Sequence, residues 1–226
     1  MYVLHYAPDN ASLIIRLALE EAGLPYRTAL VDRATRAQDG PDYRRLNPTG
    51  LIPALETPHG PMFETGAILL WLSDTHGLGP APGAVDRGDF LKWLFFISNT
   101  VHAELRQVFY ADRFAPPGAG AGHHALLTGR LKQHFAVLDR AAIESPALFA
   151  APSLLTLYSA TLARWSVLYP KEQPRWFQFA QFPALAILAA DLDTRPATQR
   201  CSLAEGLGTA PFSNPAYANP PEGSAL

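Results

Sequence analysis

Apolar and polar positions change their period several times along the chain, and each change predicts an element. Residues 2 to 6, YVLHY, are aromatic and aliphatic over a strand's length and stop at the turn signal Pro8-Asp9-Asn10. From Ser12 onward Leu13, Leu17, Ala18 and Ala22 recur at helical spacing, and Gly23 stands where the helix should stop. Ser12 or Asn10 is expected to cap that helix. TALVD, 28 to 32, reads as a second strand after the Leu24-Pro25 break, so strand, helix and strand predict a parallel pair with a right-handed crossover. Residues 33 to 45 are polar and carry no clear period. Residues 52 to 56 and 62 to 64, separated by TPHGP, predict two antiparallel strands. Thr65 then opens a helix with Ala67, Ile68, Leu70, Trp71 and Leu72 apolar, closing near Gly77.

A Pro/Gly-rich break, GPAPGAV at 79 to 85, separates this mixed region from a different pattern. Residues 90 to 114, 125 to 142, 153 to 169 and 183 to 192 all favour helix, PPGAGAG at 116 to 122 reads as a flexible bend, and no convincing strand appears. The closing TAPFSNPAYANPPEGSAL is aperiodic and is expected to be ordered where Phe212 or Tyr217 docks. The predicted organisation is an α/β domain over 1–78, a linker over 79–85, an all-helical domain over 86–208 and a Pro-rich tail over 209–226.

Composition narrows the function classes. With 226 residues the chain is long enough for two domains. A net charge of −2, from 18 basic and 20 acidic residues, points away from nucleic acid and from an anionic membrane surface. Apolar runs such as AILLWL fall short of the roughly 20 residues of a spanning helix, and MYVLHY lacks the features of a secretory leader. A soluble cytoplasmic protein is the expectation. The one cysteine, Cys201, cannot form an internal disulfide and is read as packing. His123-His124 is the nearest approach to a metal-like cluster, and no metal site is expected.

Chemistry concentrates in NPTGLIPALETPHGPMFETGAILLWL, 47 to 72. Pro53 after Ile52, at the start of a strand, is awkward unless the bond is cis or the strand begins there. A cis bond would turn the Ile52 backbone outward, where an extended peptide can pair with it. Glu64-Thr65 joins a strand to a helix, so the Thr65 hydroxyl and the helix amides can receive a carboxylate while Glu64 receives an ammonium. A ligand with a peptide middle and an amino-acid end fits both.

NPTGLIPAL followed by ETGAILLWL resembles the glutathione-binding signature of the cytosolic glutathione transferase family. LHYAPDNASLIIRLALEEAGLPY, RGDFLKWLFFISNTVHAEL and FPALAILAADLDTRPATQRCSLAEGL extend the resemblance to its bacterial, beta-like members, leaving only the 209–226 tail outside. The resemblance implies a thioredoxin-like α/β N-terminal domain and an all-α C-terminal domain, glutathione as cosubstrate, a small hydrophobic electrophile and a homodimer. On the matching positions it places Ile52 and Pro53 against the cysteinyl part of glutathione, Glu64 and Thr65 at its γ-glutamyl end, and Arg36 near its glycine carboxylate.

The family lowers the pKa of the bound thiol, since the thiolate is the nucleophile. The donor to sulfur is sought between the first strand and helix: Ser12 first, then Asn10, then Tyr6. Ala11 stands where many bacterial members carry a cysteine, which removes mixed-disulfide chemistry at that position. His102 matches a histidine of the same relatives, and Trp93, Phe96, Phe109, Tyr110 and Phe114 offer an aromatic lining for a substrate pocket. In PSLLTLY, Thr156 replaces the acid of the family's capping box while Ser153 remains.

Each residue also has a plainer reading: Pro53 as a shaping turn, Thr65 and Ser12 as helix caps, Glu64 as a first-turn acid, Arg36 as a solvated loop charge, His102 and the aromatics as core. Three functions follow. They are conjugation of glutathione to an electrophile, a non-catalytic glutathione-binding or protein-interaction module, and glutathione-dependent reduction or ether cleavage.

Overall fold

The computed structural model describes residues 1–225, Asp112 excepted. Tyr2–Tyr6 form β1, Tyr26–Leu30 β2, Ala54–Thr57 β3 and Gly60–Phe63 β4, in a sheet of order β2-β1-β3-β4. β1 and β2 run parallel, with Tyr2 opposite Tyr26 and Tyr6 opposite Leu30, while β3 is antiparallel to both β1 and β4. The expected strand, helix, strand unit and hairpin are therefore present. β1 is buried on both faces apart from a partly exposed His5, which suits its central place and its unbroken apolar run.

The crossover helix α1, Ser12–Glu21, is buried over Ser12 to Leu19, Arg16 included. A helix apolar nearly all round has to be covered on several sides. It ends at Gly23, whose φ of +62° lets the Leu24 amide reach the Leu19 carbonyl at 3.0 Å. The unassigned stretch from 33 to 45 forms a 3₁₀ turn, Ala37–Asp39, and the short helix α2, Pro41–Leu46. The helix after β4 is α3, Thr65–His76, which stops at Gly77 in the left-handed conformation.

Next come α4 (Arg87–Phe95), a π-helical turn (Phe96–His102), α5 (Ala103–Phe109), α6 (Ala111–Phe114), α7 (Gly120–Glu144), α8 (Pro146–Phe149), α9 (Leu154–Leu168) and α10 (Pro183–Asp193). Leu105, Leu131, Phe135, Leu138, Leu155 and Leu162 form the core of this region. The expected bend at 116 to 122 is shorter than its glycines suggested. Glycine's cost is largest in helix interiors, and Gly120 and Gly122 fall in the first turn of α7.

The final helix, α11, spans Pro196–Glu205. Internal contacts divide the chain differently from the linear boundaries 1–78, 79–85, 86–208 and 209–226. One unit holds Met1–Arg87, Asp193–Pro211 and the stretch from Ala216 on; the other holds Gly88–Leu192 and Phe212–Pro215. Within the first unit, α11 buries Ala197 and Cys201 and is joined to α1 by charge pairs: Arg195 with Glu21 at 2.6 Å, Arg200 with Glu20 at 2.6 Å, and Arg16 with Glu205 at 3.3 Å. In the tail Phe212 is buried, Tyr217 is 39% exposed, and the backbone is held elsewhere as well. The Asn219 amide donates to the Gly206 carbonyl at 2.8 Å, and a side chain at Gly206 would lie 2.0 Å from the Asn219 oxygen. Among the described residues no helix is long and apolar enough to cross a membrane.

Candidate functional site

Strand register brings three loops to one edge of the sheet. His5 faces Ala54, and Ala54 faces Phe63. The end of β1, the start of β3 and the end of β4 therefore coincide, and the chain leaves that edge at residues 7 to 11, 52 to 53 and 64 to 65. The separate motifs read from the sequence converge there.

In the first loop the Ser12 hydroxyl accepts from the Ala7 amide at 3.3 Å and donates to the Ala7 carbonyl at 3.1 Å, and the residue is wholly buried. A hydroxyl has one proton to donate, so Ser12 has none left for a ligand, and it does not cap α1 either. It latches the loop onto the helix. The cap position belongs to Ala11, without a side-chain hydrogen bond to the helix. Asn10 is half-buried, and its Oδ1 accepts from the Ala11 amide at 2.8 Å. A backbone amide can only donate, which fixes the oxygen on that side and leaves Nδ2 facing away. The Leu13 and Ile14 amides bond to the Asn10 and Ala11 carbonyls at 2.8 and 3.3 Å. Among the described residues, the Asn10 Nδ2 and the Ser12 amide keep unused donors at this helix start.

Tyr6, the third expected donor, is 1% exposed and its hydroxyl donates to the Glu222 carboxylate. Burial and then Glu222 push its phenol up to about 12. Its proton is committed to the C-terminal stretch.

Behind the loop lies a network that sequence reasoning missed. Asp9 has a left-handed φ of +50°, and its amide donates to Glu205 Oε2 at 2.8 Å. Glu205 is fully buried and pairs with Arg16, whose guanidinium carbon lies 4.4 Å from the centre of the Tyr6 ring. A signal for half of it existed: Arg16 stands within LIIRLAL, and a cation on a helix buried all round needs a partner.

At the second and third loops the Ile52-Pro53 bond is cis. Ile52 packs partly buried on Val31, Tyr43 and Ala54, two residues outside the β1–β3 register. Glu64 is exposed at the cap position of α3, with φ +71° and no side-chain hydrogen bond to the helix, while Thr65 is buried. Positive φ at a non-glycine residue costs on the order of 1–3 kcal/mol and gathers at functional sites. Among the described residues three non-glycines show it: Asp9, Arg36 and Glu64. Arg36 is 79% exposed and pairs with Asp39 at 2.7 Å, which holds the Asp39 carboxyl below its usual range. It stands in solvent on its own 3₁₀ turn.

The second unit carries the remaining candidates. His102 ends the π-helical turn, a rare geometry enriched at functional sites. Its Nδ1 is 2.7 Å from the Tyr158 hydroxyl, and its ring lies 5.7 Å from that of Trp165. Burial, aided by Arg106, pushes its pKa down to about 4, so the ring is neutral at pH 7. Phe109 packs edge-on to Trp165 and Tyr169; Trp93 and Phe96 pack on each other, with Phe149 and His134 beside them. Tyr110 and Phe114 lie under Arg113 and Arg106 respectively. Cys201 is buried, which raises its thiol pKa. Among the described residues no three His, Cys, Asp or Glu side chains converge as a metal site would need.

Comparisons with known proteins point to one family. Residues 11–75 match the model of the glutathione S-transferase N-terminal domain. The chain is 30% identical over 218 residues to the disulfide-bond oxidoreductase YfcG of Escherichia coli, covering 92% of this chain and 97% of that one. A glutathione transferase of Methylococcus capsulatus superposes with a TM-score of 0.75 at 28% identity, over 91% and 99% of the two chains. One from Burkholderia graminis, with two glutathione molecules bound per subunit, superposes at 0.76 with 25% identity over 88% and 86%.

Proposed function

Because the chain belongs to the cytosolic glutathione S-transferase family, we propose that it binds glutathione along the sheet edge where Asn10, Ile52 and Glu64 emerge, holds it as the thiolate and adds it to a small hydrophobic electrophile. The observation that carries the reading is the open start of α1, with Asn10 Nδ2 and the Ser12 amide as donors. The Ile52 backbone pairs with the cysteinyl part, and Glu64 with Thr65 and the α3 amides holds the γ-glutamyl end. Of the three donors expected from sequence, Asn10 replaces Ser12 in first place, because the Ser12 and Tyr6 protons already have acceptors. Arg36 at the glycine carboxylate is the outer part of the same reading; His102, Phe109 and Tyr110 are the residues that the family resemblance offers to the electrophile.

A free thiol near pKa 8.5 is mostly protonated at neutral pH. A hydrogen bond to a charged acceptor is worth about 1.5–3 kcal/mol, and a helix start adds about 0.3–1. At about 1.4 kcal/mol per unit the pKa falls by roughly one to three units, and thiolate becomes the main form at pH 7 once the fall exceeds about 1.5 units. The test is glutathione binding, thiolate absorbance in the ultraviolet, and turnover against a panel of electrophiles. Binding with turnover supports the reading, binding without turnover supports a non-catalytic glutathione module, and absence of binding rejects both.

Similarity to YfcG over nearly its whole length favours one second reading, glutathione-dependent disulfide reduction. With no cysteine at Ala11 and Cys201 buried, the attacking sulfur would be that of glutathione itself. It would form a mixed disulfide with one substrate sulfur and release the other as thiolate. Turnover of a small disulfide exceeding that of every electrophile selects this reading. A homodimer in the cytoplasm completes the proposal, and mass by light scattering checks the dimer.

A further inference from the structure

We propose that Glu205, in the last turn of α11, is a positioning residue for the thiol site, through its grip on the Asp9 amide. This rests on the reading that glutathione sulfur meets the start of α1. Asp9 immediately precedes Asn10, and its left-handed φ of +50° sets the direction in which Asn10 and the Ser12 amide point. A non-glycine residue leaves that conformation unless something holds it. The hold is a fully buried carboxylate whose Oε2 accepts the Asp9 amide at 2.8 Å.

The other oxygen of the same carboxylate pairs with Arg16 at 3.3 Å. Arg16 sits one turn into α1, so Glu205 ties the loop and the helix together from behind. The cation lies over the ring of Tyr6, the last residue before the loop, which extends the brace to the end of β1. Ser12 closes the loop from the front, through both Ala7 backbone groups. Glu205 reaches no ligand directly in this scheme; it fixes the donors that do. Its loss should therefore lower kcat and raise the bound thiol pKa more than it weakens glutathione binding, which draws on Ile52, Glu64 and Thr65.

Removing Glu205 alone would leave Arg16 buried without its counter-ion, a change that can unfold a protein. The informative variants change both partners: Arg16→Met with Glu205→Gln keeps an acceptor for the Asp9 amide, and Arg16→Met with Glu205→Leu removes it. Hydrogen exchange at the Asp9 amide without ligand, the titration midpoint of bound glutathione, and kcat and KM are then measured. In the leucine pair, Asp9 exchange should speed up by tenfold or more, roughly the loss of one hydrogen bond to a charged acceptor. Its kcat should fall about tenfold while KM for glutathione changes by less than about threefold, and the thiol midpoint should rise by about one unit. The glutamine pair should recover most of each change. Equal behaviour of the two pairs, or rapid exchange at Asp9 in the unaltered protein, overturns the proposal. If glutathione on the unaltered protein titrates like the free thiol, the thiol-site reading itself fails; if it is lowered and the leucine pair leaves it lowered, only the role of Glu205 fails.

Discussion

At the start of α9 the Ser153 hydroxyl accepts the Thr156 amide at 3.2 Å, and at the start of α10 the buried Asp139, from α7, accepts the Leu185 amide at 2.9 Å. At the starts of α1 and α3, in the other unit, neither cap residue does the same, and among the described residues no other side chain takes a first-turn amide. The four helices face one physical problem, the unpaired amides of a first turn. Where a side chain closes the turn, the polar groups are finished and the helix end is structural. Where the turn stays open, the amides and the positive end of the helix remain available to an anion. Even the departure at Thr156 fits the closed pattern: lacking the acid, it sends its own hydroxyl back to the Phe149 carbonyl, and the Ser153 cap survives.

The sharpest way to break this contrast is Asn10→Ala. It removes the side-chain donor at an open start, so kcat/KM with a reactive electrophile should fall about 10- to 100-fold, some 1.5–3 kcal/mol, while the lost bond to the Ala11 amide should cost only about 1 kcal/mol of stability. A loss of stability without a kinetic effect would mean the α1 start is structural after all.

His102 with Tyr158 extends the contrast to a finished polar pair. The ring is neutral in the native state, with a pKa lowered from 6.5 to about 4. As pH falls through that window the unfolded chain takes up a proton and the native protein does not, so stability present above pH 6.5 is lost as pH approaches 4. After allowance for the ring's partial exposure the loss is roughly 2 kcal/mol. Urea midpoints across the window measure it, and His102→Gln should flatten the slope.

Thr65→Val, at the other open start, should weaken glutathione binding about tenfold, or about 1.4 kcal/mol, by calorimetry. The smallest effects belong to the two serines: Ser153→Ala and Ser12→Ala should each cost about 1 kcal/mol of stability in denaturant and leave the bound thiol's titration in place. A shifted thiol in Ser12→Ala would return Ser12 to the role of donor.

How much of this was legible in the sequence depended on range. The sheet and its neighbouring helices were readable because alternation, turn residues and Gly23 or Gly77 act within a few positions. α2 was not, since Tyr43 is the one large apolar side chain between 33 and 45 and sets no period. The pattern of PATQRCSLAE was equally silent, with Leu203 83% exposed and small or polar residues making up most of the buried face of α11. In the site, Ile52-Pro53 and Glu64-Thr65 stood out because each is a local backbone demand. The turn of Ser12 back onto Ala7 could not be read, because a hydroxyl at a helix start looks the same whether it caps, latches or faces a ligand. Glu205 and Glu222 act across about 200 residues of chain, and only Arg16 hinted that a buried partner must exist.

The most direct test of the central claim is a crystal structure with glutathione bound. The account places the sulfur within hydrogen-bonding distance of Asn10 Nδ2 and the Ser12 amide, with the peptide along Ile52. A sulfur directed elsewhere, or an Asn10 side chain turned away from it, would contradict the account.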